Sequence, residues 1–309
     1  MSNGRISVVY LTDGRRDDLT YASAVALGLN HKRPLDIHIV QSGFHARPPA
    51  SVEGFLQTSG HRLAVHALPA ADNMRKGHGH ITATAFAKVD AIASISDQHE
   101  IVCYLDNDTL AMRPLDLIVA APADCPLAAV PDLSISTGLD NRAFFHNCEK
   151  HGLERRYFNS GLLVIDVARW RDSGIADRYA AAISAHESFC PYWDGSCVHL
   201  DQCLFNMAAC GEWETLPICF NVQKSAFQTR FWDNALIRHY TGREKFLPSR
   251  AYRADKQERS LLHRIALACP GLGIRTAPSF MGLPYWANRI RRKAPRSTIS
   301  GLIEEHLAS

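Results

Sequence analysis

Residues 101–108 read Ile101-Val102-Cys103-Tyr104-Leu105-Asp106-Asn107-Asp108. The first five residues form an apolar run of strand length, and two carboxylates follow it at positions i and i+2. In an open α/β sheet, ligands bind outside the carboxyl ends of the strands. Two hard oxygen ligands at such an end suit Mg²⁺ or Mn²⁺ shared with a substrate diphosphate. A polar turn that ends a strand is the alternative, and the spacing alone does not separate the two interpretations.

Strand-like and helix-like segments alternate on the N-terminal side of this stretch. Compact apolar runs predict strands over residues 6–11, 36–40 and 63–68. Small and apolar residues at helical spacing predict helices over residues 19–29, 50–60 and 81–94. This alternation predicts βαβ units and a mostly parallel sheet.

The pattern is less regular on the C-terminal side. Short apolar runs predict strands over residues 127–130, 158–167 and 236–240, and residues 201–209 are typical of a helix. The segment 133–156 is polar, and we expect it to be irregular and to cover the site.

Composition excludes several classes of protein. The chain has 309 residues, 46% hydrophobic and 21% charged, with a net charge of +3. It can bury a large core, and it lacks the basic excess of a dedicated nucleic-acid binder. No apolar run approaches the ~20 residues of a membrane span, and the N-terminus lacks a signal-peptide pattern. We therefore expect a cytoplasmic protein with no nucleic-acid partner.

Nine cysteines, an odd number, occur without any CxxC pair. This spacing favours reduced thiols in a cytosolic protein over a disulfide framework or a zinc site.

Four ordered segments resemble glycosyltransferase family 8, which includes bacterial lipopolysaccharide galactosyl- and glucosyltransferases and glycogenin. They are YLDNDT at 104–109 with RPL at 113–115, FNSGLLVID at 158–166 with WR at 170–171, LDQCLFN at 200–206 and HYTGREK at 239–245. The resemblance implies one GT-A type nucleotide-binding domain, residues 1–275, with a mixed, mostly parallel central sheet. It also implies retaining, metal-dependent transfer of galactose or glucose from a UDP-sugar to a glycan, with lipopolysaccharide as the expected acceptor.

The resemblance assigns the metal and diphosphate contacts. Asp106, Asp108 and His239 would bind the metal, and Asp106 and Asn107 would also contact the substrate. An imidazole beside two carboxylates favours Mn²⁺, with Mg²⁺ as the alternative. Gly242 would let the backbone approach a phosphate closely. Lys245 would place a positive charge on the diphosphate.

The resemblance also places the nucleoside at the end of the first strand. Leu11, Thr12 and Asp13 would line this part of the site, with Asp13 accepting a hydrogen bond from the uracil N–H. The family commonly has Asp-x-Asn-Tyr where this chain has Asp13-Gly14-Arg15-Arg16. Arg15 is therefore either a ribose contact or an exposed loop residue.

The donor sugar would contact residues from four further segments. Lys88 takes the place of a family arginine that holds the sugar and diphosphate, and a solvated helix lysine is its alternative. Asp132 would lie near the sugars or form a simple turn. Asn159 and Ser160 suit hydroxyl recognition. The carboxylate of Asp201 would contact the donor sugar or cap the helix N-terminus. The amide of Gln202 would lie at the reacting face of the donor sugar.

Two other functions remain open at this point. A UDP-sugar hydrolase or a nucleotidyltransferase would use the same metal and diphosphate contacts. A non-catalytic UDP-sugar-binding protein is a further alternative, although a decayed site would be expected to lose ligands.

The basic charge is concentrated at the C-terminus. Residues 275–309 carry a net charge of +4, which leaves −1 for residues 1–274. Tyr285 and Trp286 precede the cluster Arg289–Lys293, and such a segment suits the interface of an anionic membrane. We expect residues 276–309 to be a separate tail that could bring the enzyme to a lipid-linked acceptor on the inner face of the membrane. A solvated tail or a helix packed on the body is the alternative.

Overall fold

A computed structural model describes residues 6–69, 83–97, 99–137, 141–247, 255–274 and 296–308. Its centre is a seven-stranded sheet in the order β3-β2-β1-β4-β7-β6-β8. A second, three-stranded sheet has the order β5-β10-β9. The strands are β1 (Ile6–Thr12), β2 (Leu35–Ser42), β3 (Arg62–Leu68), β4 (Ile101–Leu105), β5 (Thr109–Ala111), β6 (Leu127–Pro131), β7 (Phe158–Asp166), β8 (Trp213–Thr215), β9 (Val222–Gln223) and β10 (Ile237–His239).

The central sheet is mixed and mostly parallel, as predicted. Parallel pairing joins β3 to β2, β2 to β1, β1 to β4 and β6 to β8. Only β7 runs against its neighbours β4 and β6. The predicted strands are all confirmed to within a few residues.

Helices pack on both faces of this sheet. They are α1 (Asp17–Asn30), α2 (Ala50–Thr58), α3 (Lys88–Ser96), α4 (Leu133–Thr137), α5 (Asn141–His151), α6 (Val167–Ser173), α7 (Ile175–Ser188), α8 (Asp201–Ala209), α9 (Arg230–Asp233), α10 (Lys256–Ala268) and α11 (Arg296–Ala308). None of the helices in the described part of the chain is long and apolar enough to cross a membrane.

Two hydrophobic cores explain why the strands are apolar on both faces. Along β1, Val8 and Tyr10 belong to one core, whereas Val9 and Leu11 belong to the other. Successive side chains of a strand point to opposite faces, so a sheet covered on both sides gives continuous apolar runs.

The expectation that residues 133–156 are irregular is wrong, because α4 and α5 form there. Asp132 Oδ1 accepts hydrogen bonds from the backbone N–H groups of Ser134, at 2.8 Å, and Ile135, at 3.3 Å, as a helix cap does. In α5 the buried side chains include Phe144 and Cys148, one helical turn apart. So narrow an apolar stripe in a polar helix is easily mistaken for a loop.

The predicted helix over 81–94 begins later than expected. Residues 81 and 82 lie outside the described part, Ala83–Ala87 form a 3₁₀ helix, and α3 follows.

The antiparallel direction of β7 brings its first residues to the carboxyl end of β4. Leu105 pairs with Leu162, and the Asp106 backbone N–H donates to the Gly161 carbonyl oxygen at 2.9 Å. The small sheet adds a third segment, since His239 on β10 pairs with Thr109 on β5. Residues distant in sequence therefore meet at one edge of the fold.

The C-terminal helix α11 packs against the body of the protein. It lies beside α4, its Ile303 is fully buried, and Glu304 pairs with Arg230. For residues 296–308 of the tail, the structure therefore shows a helix packed on the body, which was one of the alternatives. Tyr285, Trp286 and the basic cluster at 289–293 lie outside the described residues.

Candidate active site

A cleft of about 700 Å³ opens at the edge where β1, β4 and β6 end and β7 begins. It is lined by every residue that the sequence predicted for the site: Leu11, Thr12, Asp13, Arg15, Lys88, Asp106, Asn107, Asp108, Asp132, Asn159, Ser160, Asp201, Gln202, His239, Gly242 and Lys245. The fold thus brings the whole predicted set together.

Three of these side chains form a cluster that can hold a metal ion. One donor atom from each of Asp106, Asp108 and His239 lies within 4.8 Å of the others. His239 Nε2 is 3.1 Å from Asp108 Oδ1 and 3.6 Å from Asp106 Oδ2. Two carboxylates and one imidazole suit a divalent transition ion such as Mn²⁺.

Hydrogen bonds fix the orientation of the His239 ring. Its Nδ1 lies 3.0 Å from Asn159 Oδ1 and 3.1 Å from Asn221 Oδ1. Both neighbours are amide oxygens, so Nδ1 carries the proton and donates it. The lone pair of Nε2 is then directed toward the carboxylates, as a metal-ligating histidine requires.

A glycine makes room for this ring. A Cβ atom on Gly161 would lie 2.0 Å from Cε1 and 2.5 Å from Nδ1 of His239. No ring can approach a side chain so closely, so the glycine of the FNSG segment is needed for the imidazole to reach the carboxylates. The residues present therefore fit a metal ion.

Lys88 is buried and bridges two carboxylates, so its interpretation as a solvated helix residue is wrong. Its Nζ lies 3.0 Å from Asp106 Oδ1, 2.8 Å from Asp201 Oδ2 and 3.2 Å from Ser160 Oγ. Burial alone would lower the pKa of Lys88, but the charges of Asp106 and Asp201 outweigh it and raise that pKa. The lysine is thus a fixed positive charge inside the cleft.

Asp108 forms the other end of the cluster. Lys245 donates to its Oδ2 and also to the Tyr240 carbonyl oxygen, at 2.9 Å. Burial opposes ionisation, yet the positive charge of Lys245 holds the pKa of Asp108 well below its usual range. Nearby, Gly242 has a φ of +84°, a conformation that glycine adopts without strain.

Side-chain amides at the base of the cleft form a hydrogen-bonded network. Gln202 Nε2 donates to Asp132 Oδ2 at 2.8 Å, and Asn159 Nδ2 donates to Gln202 Oε1 at 2.9 Å. Asn221 Nδ2 donates to Asn159 Oδ1 at 3.0 Å. The network continues to His239, so the amide of Gln202 and the cluster of Asp106, Asp108 and His239 are joined by one set of hydrogen bonds.

Two alternatives for the acidic residues can now be judged. Asp132 caps α4 and also accepts from Gln202 within the cleft, so its turn role and its site position coexist. Asp201 is the first residue of α8, whose N-cap is Leu200. Its carboxylate accepts from Lys88 and Ser160 instead of capping the helix.

The end of β1 forms the far side of the cleft. Asp13 accepts a hydrogen bond from the Arg15 backbone N–H at 3.1 Å, and Thr12 donates to Asp17 Oδ1 at 2.6 Å. The Arg15 side chain is about three-quarters exposed, so it lines the cleft from its rim.

Sequence reasoning missed three residues of the site. Asn221 is fully buried and joins Asn159 to His239, Tyr104 donates to Asp106 Oδ1 at 3.0 Å, and His199 lies close enough to help lower the pKa of Asp132, against the effect of burial. The signal for Asn221 was the polar pair Asn221 and Gln223 at alternate positions beside apolar neighbours. No local signal marks the other two.

Comparison with known proteins gives the class. The family model for glycosyl transferase family 8 matches residues 17–246. The chain belongs to this family and is a glycosyltransferase. No curated protein sequence matches it significantly.

Solved structures agree with this fold. The galactosyltransferase LgtC, in complex with donor and acceptor sugar analogs, is 19% identical with a TM-score of 0.64, covering 89% of this chain and 98% of LgtC. An active-site glutamine-to-glutamate mutant of LgtC has 18% identity and a TM-score of 0.65, with the same coverage. Apo GlyE from Streptococcus pneumoniae TIGR4 is 15% identical with a TM-score of 0.57, covering 87% of this chain and 63% of GlyE.

Proposed function

We propose that this glycosyltransferase moves a hexose, galactose or glucose, from a UDP-sugar to a glycan with retention of anomeric configuration. The observation that carries the proposal is the metal cluster of Asp106, Asp108 and His239 in a cleft that also contains Lys88 and Gln202. A site for a divalent cation beside fixed positive charges suits a nucleoside diphosphate. LgtC, which shares the fold, is a galactosyltransferase, and this supports a hexose as the transferred group.

The charges of the cleft suit the departure of UDP. A bound Mn²⁺, or Mg²⁺ as the alternative, would supply Lewis-acid stabilisation of the leaving diphosphate. Lys245 adds a compact positive charge beside Asp108, and Gly242 leaves open space for a phosphate to approach. Asn107, between the two carboxylates, lines the same wall of the cleft.

We place the nucleoside at the end of β1. Leu11 and Thr12 line the cleft there, and Asp13 remains our acceptor for the uracil N–H. Arg15, at the rim, is free enough to move toward a ribose or phosphate, because its side chain is mostly exposed.

The sugar would lie between Lys88 and the amide network. Asp201 and Ser160 are already hydrogen-bonded to Lys88, so this group forms a ready polar surface for sugar hydroxyls. Asp132 and Asn159 hold the amide of Gln202 from two sides. The mutated residue in one LgtC structure is an active-site glutamine, which supports a role for Gln202 at the reacting centre.

We favour front-face transfer over double displacement. A double displacement needs a nucleophile about 3 Å from the anomeric carbon, and the amide of Gln202 is a poor one. In the front-face reaction, a leaving phosphate oxygen accepts the proton of the incoming acceptor hydroxyl. Gln202 would then stabilise the oxocarbenium-like transition state through its amide oxygen.

The test is Mn²⁺-dependent release of UDP from each common UDP-sugar, measured with and without candidate glycans. We expect release that requires both the metal and a glycan, with an Asp106→Asn variant as the inactive control. Release of UDP that is independent of any glycan would indicate a hydrolase. Formation of UTP and a sugar phosphate when pyrophosphate is added would indicate a nucleotidyltransferase. Binding of UDP without turnover under any condition would indicate a non-catalytic binding protein, and neither binding nor release would defeat the proposal.

We also propose that the acceptor is a lipid-linked glycan such as lipopolysaccharide, reached from the cytoplasmic face of the membrane through the basic segment 289–293. Helix α11 is packed on the body, so removing the whole tail would also remove the buried Ile303. Replacing Arg291, Arg292 and Lys293 with serine is the cleaner test. We expect this variant to lose binding to anionic vesicles and to keep its affinity for UDP, and unchanged vesicle binding would show that the idea is wrong.

A further inference from the structure

A second group of metal-ligating side chains lies away from the cleft. It consists of His186 near the end of α7, Cys190 and Cys197 in the loop that follows, and Cys203 in α8. One donor atom from each of the four lies within 4.8 Å of the others. In the sequence the four are spaced H-x₃-C-x₆-C-x₅-C, which contains no CxxC pair and therefore escaped recognition as a metal motif.

We propose that these four residues bind a structural Zn²⁺ ion. Three cysteines and one histidine are a common closed zinc set, with tetrahedral geometry and no position left for water. Bond lengths of about 2.3 Å to sulfur and 2.0–2.1 Å to nitrogen place the donors roughly 3.5–3.8 Å apart. Because the donors lie within 4.8 Å of one another, any pair must approach by at most about 1.3 Å to reach that geometry. All four residues are buried, as a structural site requires.

The imidazole of His186 supports this assignment independently. The side chain is only 3% exposed, and neither ring nitrogen has a hydrogen-bond partner among the described residues. An unpaired buried polar group costs about 1–3 kcal/mol, so native proteins rarely keep one without a reason. A zinc ion bound to one nitrogen supplies the missing partner at that atom.

Two of the sulfur atoms have neighbouring hydrogen-bond groups. The Leu200 backbone N–H donates to Cys197 Sγ at 3.1 Å, which makes that sulfur an acceptor. The Tyr157 hydroxyl lies 3.0 Å from Cys203 Sγ. Donors of this kind stabilise thiolates bound to a metal. All nine cysteines are free, and a bound zinc ion would make three of them thiolate ligands instead of plain reduced thiols.

The ion would fix the segment that carries the reacting-face residues. It would join the end of α7, the loop that includes His199 and the first turn of α8. Asp201 and Gln202 stand two positions and one position before Cys203 in that turn, and both line the cleft. Zinc is therefore assigned a positioning role for these residues, distinct from the metal cluster of the cleft.

The first test is the metal content of the full chain, expressed without a metal-binding tag and supplied with zinc. We expect about one Zn²⁺ per chain by mass spectrometry of the metals, retained after the protein is washed with Mn²⁺. Mercurial modification of the thiols should release it, with the released ion measured by a colorimetric chelator. Protein with reduced thiols and almost no zinc would overturn the proposal, as would a disulfide among the three cysteines.

Variants then assign the ligands. Cys190→Ser and His186→Ala should reduce the zinc content severalfold, whereas Cys210→Ser, which changes an exposed thiol, should leave it unchanged. Asp106→Asn should keep its zinc while losing Mn²⁺ affinity, which separates this site from the cleft and from the proposed function. If the ligand variants do not fold, Co²⁺ substitution in the wild-type chain replaces them. The visible absorption of tetrahedral cobalt with thiolate ligands is expected, and an octahedral spectrum would contradict the assignment.

Discussion

Replacing Gly161 with alanine tests how the metal cluster is built. The new Cβ would lie 2.0 Å from Cε1 of His239, whereas ordinary contacts begin at 3.4 Å, so the ring must retreat by at least about 1.4 Å. The Nδ1 hydrogen bonds to Asn159 and Asn221, at 3.0 and 3.1 Å, cannot survive that movement. A metal–nitrogen bond of about 2 Å cannot survive it either.

The expected loss of Mn²⁺ affinity is at least 10–100-fold. That range is typical when only the groups that orient a ligand are removed, and here the ligand itself moves. It corresponds to about 1.4–2.7 kcal/mol. The two lost hydrogen bonds should cost a few kcal/mol of stability, which a typical domain with about 5–15 kcal/mol can tolerate. The assay is Mn²⁺ titration followed by electron paramagnetic resonance, with circular dichroism to verify folding.

Two further variants make the result specific. Gly54→Ala is the matched control, because nothing lies within 4 Å of its added Cβ, and it should bind Mn²⁺ normally. In a His239→Ala background, Gly161→Ala should cause no further loss, since the clash is with the missing ring. Unchanged affinity in the single variant, or an equal loss in both backgrounds, would refute the reasoning.

Three other predictions concern the amide, the buried lysine and the response to acid. Gln202→Ala should slow transfer roughly 100-fold or more while leaving the Kd for UDP nearly intact, and equal loss of both by kinetics and calorimetry would exclude its transition-state role. Lys88→Met leaves the buried Asp201 and the half-buried Asp106 without their shared positive charge. It should lower the free energy of unfolding by about 3–5 kcal/mol in urea titrations, with a change below about 1 kcal/mol contradicting the bridge. Burial and the neighbouring His66 and His99 lower the pKa of His38 to about 4. The unfolded chain therefore binds more protons between about pH 6.5 and 4, and unfolding free energy should fall by at most about 3 kcal/mol as pH drops through that window. His38→Gln should flatten this slope in unfolding measured across pH, and an unchanged slope would show that another group titrates.

Local patterns determined much of the fold. Apolar runs covered on both faces identified the strands, and helical spacing identified α1, α2 and α8, because those signals depend only on neighbouring residues. The polar helix α5 was missed because its buried stripe is narrow. The family segments then supplied the candidate site, and each of those residues lines the cleft.

Tertiary structure decided how those residues act together. His239 reaches Asp108 only because β10 pairs with β5, and Gly161 matters only because that ring lies against β7. The bridge from Lys88 to Asp201 likewise joins helices far apart in the chain.

By itself, the sequence determined the alternation of strands and helices before residue 108, the position of the carboxylate pair at a strand end and the family to which the chain belongs. These three features depend on periodicity and on short motifs, which involve only residues close together in the sequence. Only the folded chain decided that Asn221 orients the ring of His239 and that His186 faces three cysteines. Such contacts arise from packing between segments that are distant in the sequence, so residue spacing alone does not predict them.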